Sequence, residues 1–259
     1  MKVLLNGICG HMGREVVKLA EAGYRGASVT VGVDAFGTEC GSVPVYSSPA
    51  DVPLGADIDC IIDFSHHSAA PALLSFARER GLPIVVATTG HTEDELREIR
   101  GAAKDIPVFF SANMSLGVAL LVELAQKAAL ALPEAEIEII EKHHSRKLDA
   151  PSGTALMLAD AITAVRPEAY ANTGRSGHGK RTREEIGIHA VRMGNVVGEH
   201  EVILATENQT VTLKHEAHSR ALFAEGAIAA AAFIVDKDAG LYDMESLVGG
   251  KEKSTAALI

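Results

Sequence analysis

The feature that most constrains this chain is a strand, a glycine loop and a helix at its start, followed by repeats of the same alternation. Residues 2–5 form an apolar run, and Gly7-Ile8-Cys9-Gly10-His11-Met12-Gly13 carries three glycines. Residues 14–22 then space Val16, Val17, Leu19 and Ala20 as one helical face. Such a unit opens a dinucleotide-binding fold. Gly7 permits the tight turn, Gly10 lets the backbone approach a pyrophosphate, and Gly13 allows close helix–strand packing. The spacing is G-x-x-G-x-x-G, so Cys9 stands where the commoner fingerprint has its second glycine. Three glycines alone say little. The repeats that follow give them weight.

A second strand, 27–33, ends at Asp34, at the distance from the glycines where a carboxylate accepts from ribose hydroxyls and repels a 2′-phosphate. No Arg follows directly, so NADH is the expected cofactor. Further strands are predicted over 58–64, 83–87 and 108–110, alternating with helices over 69–80, stopped by Gly81, and 92–103. Short loops between such units imply a parallel sheet covered on both faces. Thr88 and Thr89 end a central strand, where the nicotinamide end of a cofactor would lie. His66 and His67 are placed in a cofactor-side loop or helix start with no chemical role. After an apolar helix over 116–132 the pattern changes. A polar stretch over 172–183 reads as a loop, and strands at 186–193, 199–206 and 210–217 follow in direct succession, which suits an antiparallel or mixed sheet. A helix over 223–235 could return to the first domain, and the tail from Gly249 is expected to be mobile.

The chemistry is expected between Ile137 and Leu156. Ile137, Ile139 and Ile140 suit a strand, and Pro151-Ser152-Gly153-Thr154 suits the start of a helix. Between them lie His143, His144, Arg146 and Lys147. A helix N-terminus attracts carboxylates, and imidazole beside an ammonium adds proton transfer, so the stretch reads as a site for a small dianion. Taken singly, paired histidines at a strand end are more often solvated, and basic neighbours more often surface charge. The combination favours function. A metal fits less well, because adjacent histidines on a strand point to opposite faces and no Cys or carboxylate triad accompanies them.

Composition narrows the rest. At 47% hydrophobic residues the 259-residue chain is globular, with one large domain or two modest ones. Its net charge of −10 argues against nonspecific nucleic-acid binding. Three cysteines without a C-x-x-C suggest neither a disulfide framework nor a zinc knuckle. No apolar run suits a signal peptide or a membrane span, so a cytoplasmic protein is expected.

The chain resembles the 4-hydroxy-tetrahydrodipicolinate reductase (dihydrodipicolinate reductase) family. The resemblance rests on G-x-x-G-H-M-G at 7–13, A-T-T-G at 87–90, A-N-M-S-L-G-V at 112–118, E-K-H-H-S-R-K-L-D-A-P-S-G-T-A at 141–155, V-G-E-H at 197–200 and G-L-Y-D-M at 240–244. It implies an α/β fold: a Rossmann-like parallel-sheet domain from 1–113 and 219–259, and an inserted α+β domain with a mixed sheet, 114–218, for substrate binding and tetramerisation. It also implies NAD(P)H-dependent reduction of a cyclic dicarboxylate in lysine and diaminopimelate biosynthesis by a homotetramer. On matching positions, Gly7, Ile8, Cys9, Gly10, His11 and Met12 would hold the pyrophosphate and Asp34 the ribose. Ala87, Thr88, Thr89, Ser111, Ala112, Asn113 and Met114 would line the nicotinamide side. His143 takes the proton donor/acceptor position and Lys147 the proton-donor position. His144, Ser152, Gly153 and Thr154 would bind substrate. Hydride delivery would need domain closure about hinges near 111–115 and 218–220. Three positions depart from the family's commoner pattern: His11 for Arg, Ala87 for Gly, and Ala35 where some relatives carry an Arg for NADPH. A related imine or amino-acid dehydrogenase, or a noncatalytic NAD(H) sensor, would need only the cofactor half.

Overall fold

The computed structural model describes residues 1–37 and 39–249. In chain order it contains β1 (Lys2–Asn6), α1 (His11–Glu21), β2 (Ser28–Val33), β3 (Val45–Tyr46), β4 (Cys60–Asp63), α2 (Ala70–Arg80), β5 (Ile84–Val86), α3 (Glu93–Ala102) and β6 (Pro107–Phe110). There follow α4 (Leu116–Ala131), β7 (Glu136–His143), α5 (Gly153–Val165), β8 (Tyr170–Asn172), β9 (Glu185–Arg192), β10 (Gly198–Ala205) and β11 (Thr210–Ala217). The described residues end in α6 (Ala221–Ile234), β12 (Gly240–Tyr242) and α7 (Met244–Gly249). The tail expected to be mobile lies, past Gly249, outside the described residues. Among the described residues, 1–116 and 221–249 form one compact unit, and 117–220 a second. These changeovers fall slightly beyond the boundaries read from the sequence, because they coincide with the starts of α4 and α6.

In the first unit seven strands run in the order β12-β6-β5-β4-β1-β2-β3, every neighbouring pair parallel. The chain winds outward from β1 to β3, returns to β4 beside β1, and then winds the other way. That reversal opens a crevice beyond the carboxyl ends of β1 and β4, where sheets of this kind bind ligands. β4 and β5 are buried at every position, which is why, up to Asp63 at the end of β4, they read as apolar runs rather than alternations. Leu4, Ile61, Ile84 and Val108 pack with Leu73, Phe76 and Ala77 of α2 and Ile99 and Ala102 of α3. α6 lies against β4, β5, β6 and α1. Its small residues permit the approach: a Cβ on Gly226 would stand 1.7 Å from the Met114 carbonyl oxygen. β3 and β12 were not read as strands, being too short to show a period.

The second unit has a five-stranded mixed sheet, β11-β10-β7-β9-β8. β10 is antiparallel to β7 and β11, while β7 and β8 each run parallel to β9. Odd-numbered residues of β7 and even-numbered residues of β9 and β10 share one face. There Ile137, Ile139, Ile186, Ile188, Val202 and Leu204 pack under Leu121, Ala125 and Ala129 of α4 and Ala155, Leu158, Ala159 and Ile162 of α5. The opposite face carries cross-strand charge pairs, Lys142 Nζ 3.0 Å and Lys214 Nζ 3.2 Å from Glu199 Oε2. Buried Arg166, just past α5, secures the end of α4: its guanidinium donates to the carbonyl oxygens of Ala129, Leu132 and Ala135. This positive group answers the unpaired carbonyls of a helix C-terminus. Among the described residues, no helix is long and apolar enough to cross a membrane.

Candidate active site

In the first unit the glycine loop fits a nucleotide on structural grounds. Gly7 has φ +80°, and a Cβ there would stand 2.6 Å from the Phe64 carbonyl oxygen. A Cβ on Gly13 would stand 2.2 Å from the Gly7 oxygen, so helix and loop touch backbone to backbone. α1 opens at Gly10 with no side-chain cap and no acidic residue in its first turn, leaving its N–H groups and dipole to an anion. Gly7, Cys9, Gly10 and Asp34 line a cavity of about 950 Å³ together with Arg14, Phe36 and Ser65. Asp34 accepts from the Cys9 backbone N–H at 2.9 Å and from those of Phe36 and Gly37 at 3.0 Å, which fixes its carboxylate beside the loop.

A second cavity of about 360 Å³ gathers Met12, Ala87, Thr88, Thr89, Ala112 and Met114, with Phe64, Ser65, His66, His67 and Phe223. Its floor is organised by Asp63, fully buried at the end of β4. The Asp63 carboxylate accepts from Asn6 Nδ2 at 2.9 Å, Ser65 Oγ at 2.6 Å and Thr88 Oγ1 at 2.9 Å. His67 Nδ1 lies 2.9 Å from Glu95, whose carboxyl is held below its usual range by the Thr92 N–H first and by His67 second.

In the second unit the chemistry collects where the covered face of the sheet turns polar. β7 runs on through His143, so Glu141 and His143 continue the face of Ile137 and Ile139. His200 pairs opposite Glu141, and Arg192 opposite His143. Glu141 is fully buried and uses both oxygens twice. Oε2 meets His143 Nδ1 at 2.6 Å and Arg192 Nη1 at 2.7 Å; Oε1 meets Arg192 Nη2 at 2.7 Å and the Ser152 backbone N–H at 3.0 Å. Burial pushes the Glu141 carboxyl up, but the bonds from Arg192, His143 and Ser152 outweigh it, and it stays below its usual range. Arg192 also donates to the Asp149 carbonyl at 2.7 Å, tying down the loop between β7 and α5. In that loop Lys147 Nζ pairs with Asp149 at 2.8 Å.

The matches to known proteins follow this division. Residues 1–114 match the family model for the dihydrodipicolinate reductase N-terminus, and residues 117–248 the model for its C-terminus. The chain belongs to the dihydrodipicolinate reductase family. It is 47% identical over 250 residues to the 4-hydroxy-tetrahydrodipicolinate reductase of Caldanaerobacter subterraneus subsp. tengcongensis, covering 96% of this chain and 98% of that one. It is 43% identical to the reductase of that name from an Exiguobacterium species, covering 95% of each chain. The dipicolinate-bound dihydrodipicolinate reductase from Paenisporosarcina sp. TG-14 shares the fold, with a TM-score of 0.78 at 24% identity over 94% of this chain and 97% of that one.

Not every residue expected at a dihydrodipicolinate reductase site lies where the sequence suggested. Ile8 is fully buried and packs over Gly32, away from both cavities. His11, the first residue of α1, points to solvent. Ser111 and Asn113 fold their own turn, with Ser111 Oγ donating to the Asn113 carbonyl at 2.9 Å, and line neither cavity. Ser152 is buried: its N–H serves Glu141, and its Oγ caps the Ala155 N–H and meets His200 Nε2 at 3.0 Å. These bonds hold the start of α5 in place. Burial, then the charges of Arg146, Arg220 and His143, lowers the His144 pKa, which favours the neutral ring. Glu141, Arg192 and His200 had been given no such place, whereas His66 and His67 line the second cavity from the loop and helix start expected on the cofactor side. For Glu141 a signal existed: it stands two residues before His143 on a strand.

Burial, and after it the charge of His143, pushes the His200 pKa from 6.5 down to about 4. A histidine depressed in this way supports folding above its unfolded value and opposes it as pH falls towards the folded one. From pH 6.5 to pH 4 this group should remove roughly 3 kcal/mol of stability. Urea midpoints compared at neutral pH and near pH 4 should drop less in His200→Gln than in wild type; equal drops would exclude His200 as their source.

Proposed function

We propose that this protein reduces 4-hydroxy-tetrahydrodipicolinate to tetrahydrodipicolinate with a nicotinamide cofactor, in lysine and diaminopimelate biosynthesis. The observation that carries this reading is the buried Glu141–Arg192–His143 cluster joined to the start of α5 and followed by Lys147, in a chain whose other unit offers an uncapped glycine-loop helix. On this reading residues 1–113 and 219–259 bind the dinucleotide, and 114–218 bind substrate and associate with other copies. When bound, the cofactor supplies a hydride to the substrate ring. A proton enters as well, and the ring hydroxyl leaves as water. One substrate carboxylate is received at Gly153 and Thr154, where the helix dipole favours an anion. His144 offers a neutral hydrogen-bonding ring, and Lys147 supplies positive charge. His143 acts as proton donor and acceptor and Lys147 as proton donor, which lowers the barrier as charge shifts on the ring.

A coupled assay tests this, with a dihydrodipicolinate synthase making the unstable substrate in place while NADH absorbance is followed. Wild type should consume NADH, and Lys147→Ala should be slower by roughly 100-fold or more. A fully active Lys147→Ala would remove that residue from its role, and an inactive wild type that still binds NADH would overturn the reaction. Asp34, fixed by three backbone N–H groups and followed by Ala35, supports NADH as the preferred cofactor, with NADPH the weaker one. kcat/KM should be higher with NADH, and a strong bias to NADPH would contradict this. The family resemblance supports a homotetramer. Light scattering should give the mass of four 27.2 kDa chains, and a mass of one or two chains would reject it.

A further inference from the structure

We infer that Glu141 is a positioning residue for the reaction: it holds the His143 ring with Nδ1–H towards its own carboxylate, so that Nε2 is the nitrogen that exchanges the proton. This rests on the role given above to His143.

A simpler account would make Glu141 and Arg192 a buried ion pair that serves stability alone. Such a pair needs only its two parallel N–H···O bonds. Here the carboxylate has four acceptor directions and all four are taken, two by Arg192, one by His143 and one by Ser152. Because Arg192 already balances the charge, the carboxylate does not require an imidazolium. The 2.6 Å contact to a carboxylate makes Nδ1 a protonated nitrogen, and leaves Nε2 as the one at which a proton is gained or lost. The other side of the ring is consistent with this. A Cβ on Gly198 of β10 would stand 3.1 Å from His143 Nε2, so the glycine keeps room beside that nitrogen. The same carboxylate fixes the Ser152 N–H at the start of α5. One buried group therefore sets both the proton-exchanging ring and the helix end proposed to receive the substrate.

Glu141→Gln distinguishes the two accounts. An amide has one acceptor atom. If that oxygen serves Arg192 Nη2 and the Ser152 N–H, the NH₂ group faces His143, and Nδ1 must become the acceptor. The ring tautomer then reverses. The expected result is a kcat lower by roughly 100-fold or more with KM little changed. The His143 ring ¹⁵N signals, assigned by their loss in His143→Gln, should pass from an Nδ1–H to an Nε2–H pattern. NADH affinity, a property assigned to the other unit, should stay within about twofold of wild type, and an unchanged circular dichroism spectrum and urea transition should report an intact second unit. Should the amide prevent folding, Glu141→Asp serves the same purpose. It keeps the charge for Arg192 and withdraws the carboxylate from His143 by one methylene, and the same loss of kcat and of the Nδ1–H pattern is expected.

An unchanged tautomer, or a kcat near wild type in both Glu141 variants, would overturn the positioning role. If His143→Gln is inactive in that case, the proposed function still stands. Full activity of His143→Gln would overturn the role of His143 and the positioning role with it.

Discussion

The second unit depends on a charge pair in a place where charge is costly. Glu141 is fully buried, and Arg192 is largely covered beside it. Taking two ions out of water costs several kcal/mol each, and well-packed apolar residues often do as well for stability. What apolar residues could not do is offer directed bonds. Through this pair the sheet holds the end of its own strand, the first turn of α5 and the loop between them, by way of Ser152, Asp149 and His143. Removing either partner would leave the other buried and unsatisfied. The pair thus ties the local fold to the local chemistry.

Most of the architecture was legible in the chain, for reasons that differ between the two units. In the first, buried parallel strands such as β4 and β5 are apolar but for Asp63 at the end of β4, and glycines are forced where helix and loop meet, as at Gly13. In the second, alternation along β10, with Gly198, His200, Val202 and Leu204 buried in turn, marks a sheet covered on one side. β3, β8 and β12 escaped because, unlike the equally short but fully buried β5, they have neither a period nor an apolar run. They are specified by neighbouring strands rather than by their own sequence.

The site was legible to the extent that it is local. Lys147, Gly153 and Thr154 lie within one short segment and could be read together. Arg192 and His200 are distant in sequence and reach Glu141 only through the pairing of β7 with β9 and β10, which no single segment encodes. Ser152 shows a related limit: composition marks a good cap, but only the fold shows that its N–H is engaged by Glu141. The lowered pKa of His144 likewise comes from burial and from charges that the fold brings near it. Pairing across strands and burial are tertiary properties.

The alternation of β7 has one more consequence. Ile137, Ile139, Glu141 and His143 share a face, so the core and the reactive groups are laid out on one register. An insertion or deletion of one residue within Glu136–Glu141 could not displace the chemistry alone. It would turn either the isoleucines or the Glu–His pair to the open face of the sheet. Selection for a folded protein therefore guards the spacing of the active groups, and mutational drift along this strand should be confined to substitutions that leave its length unchanged.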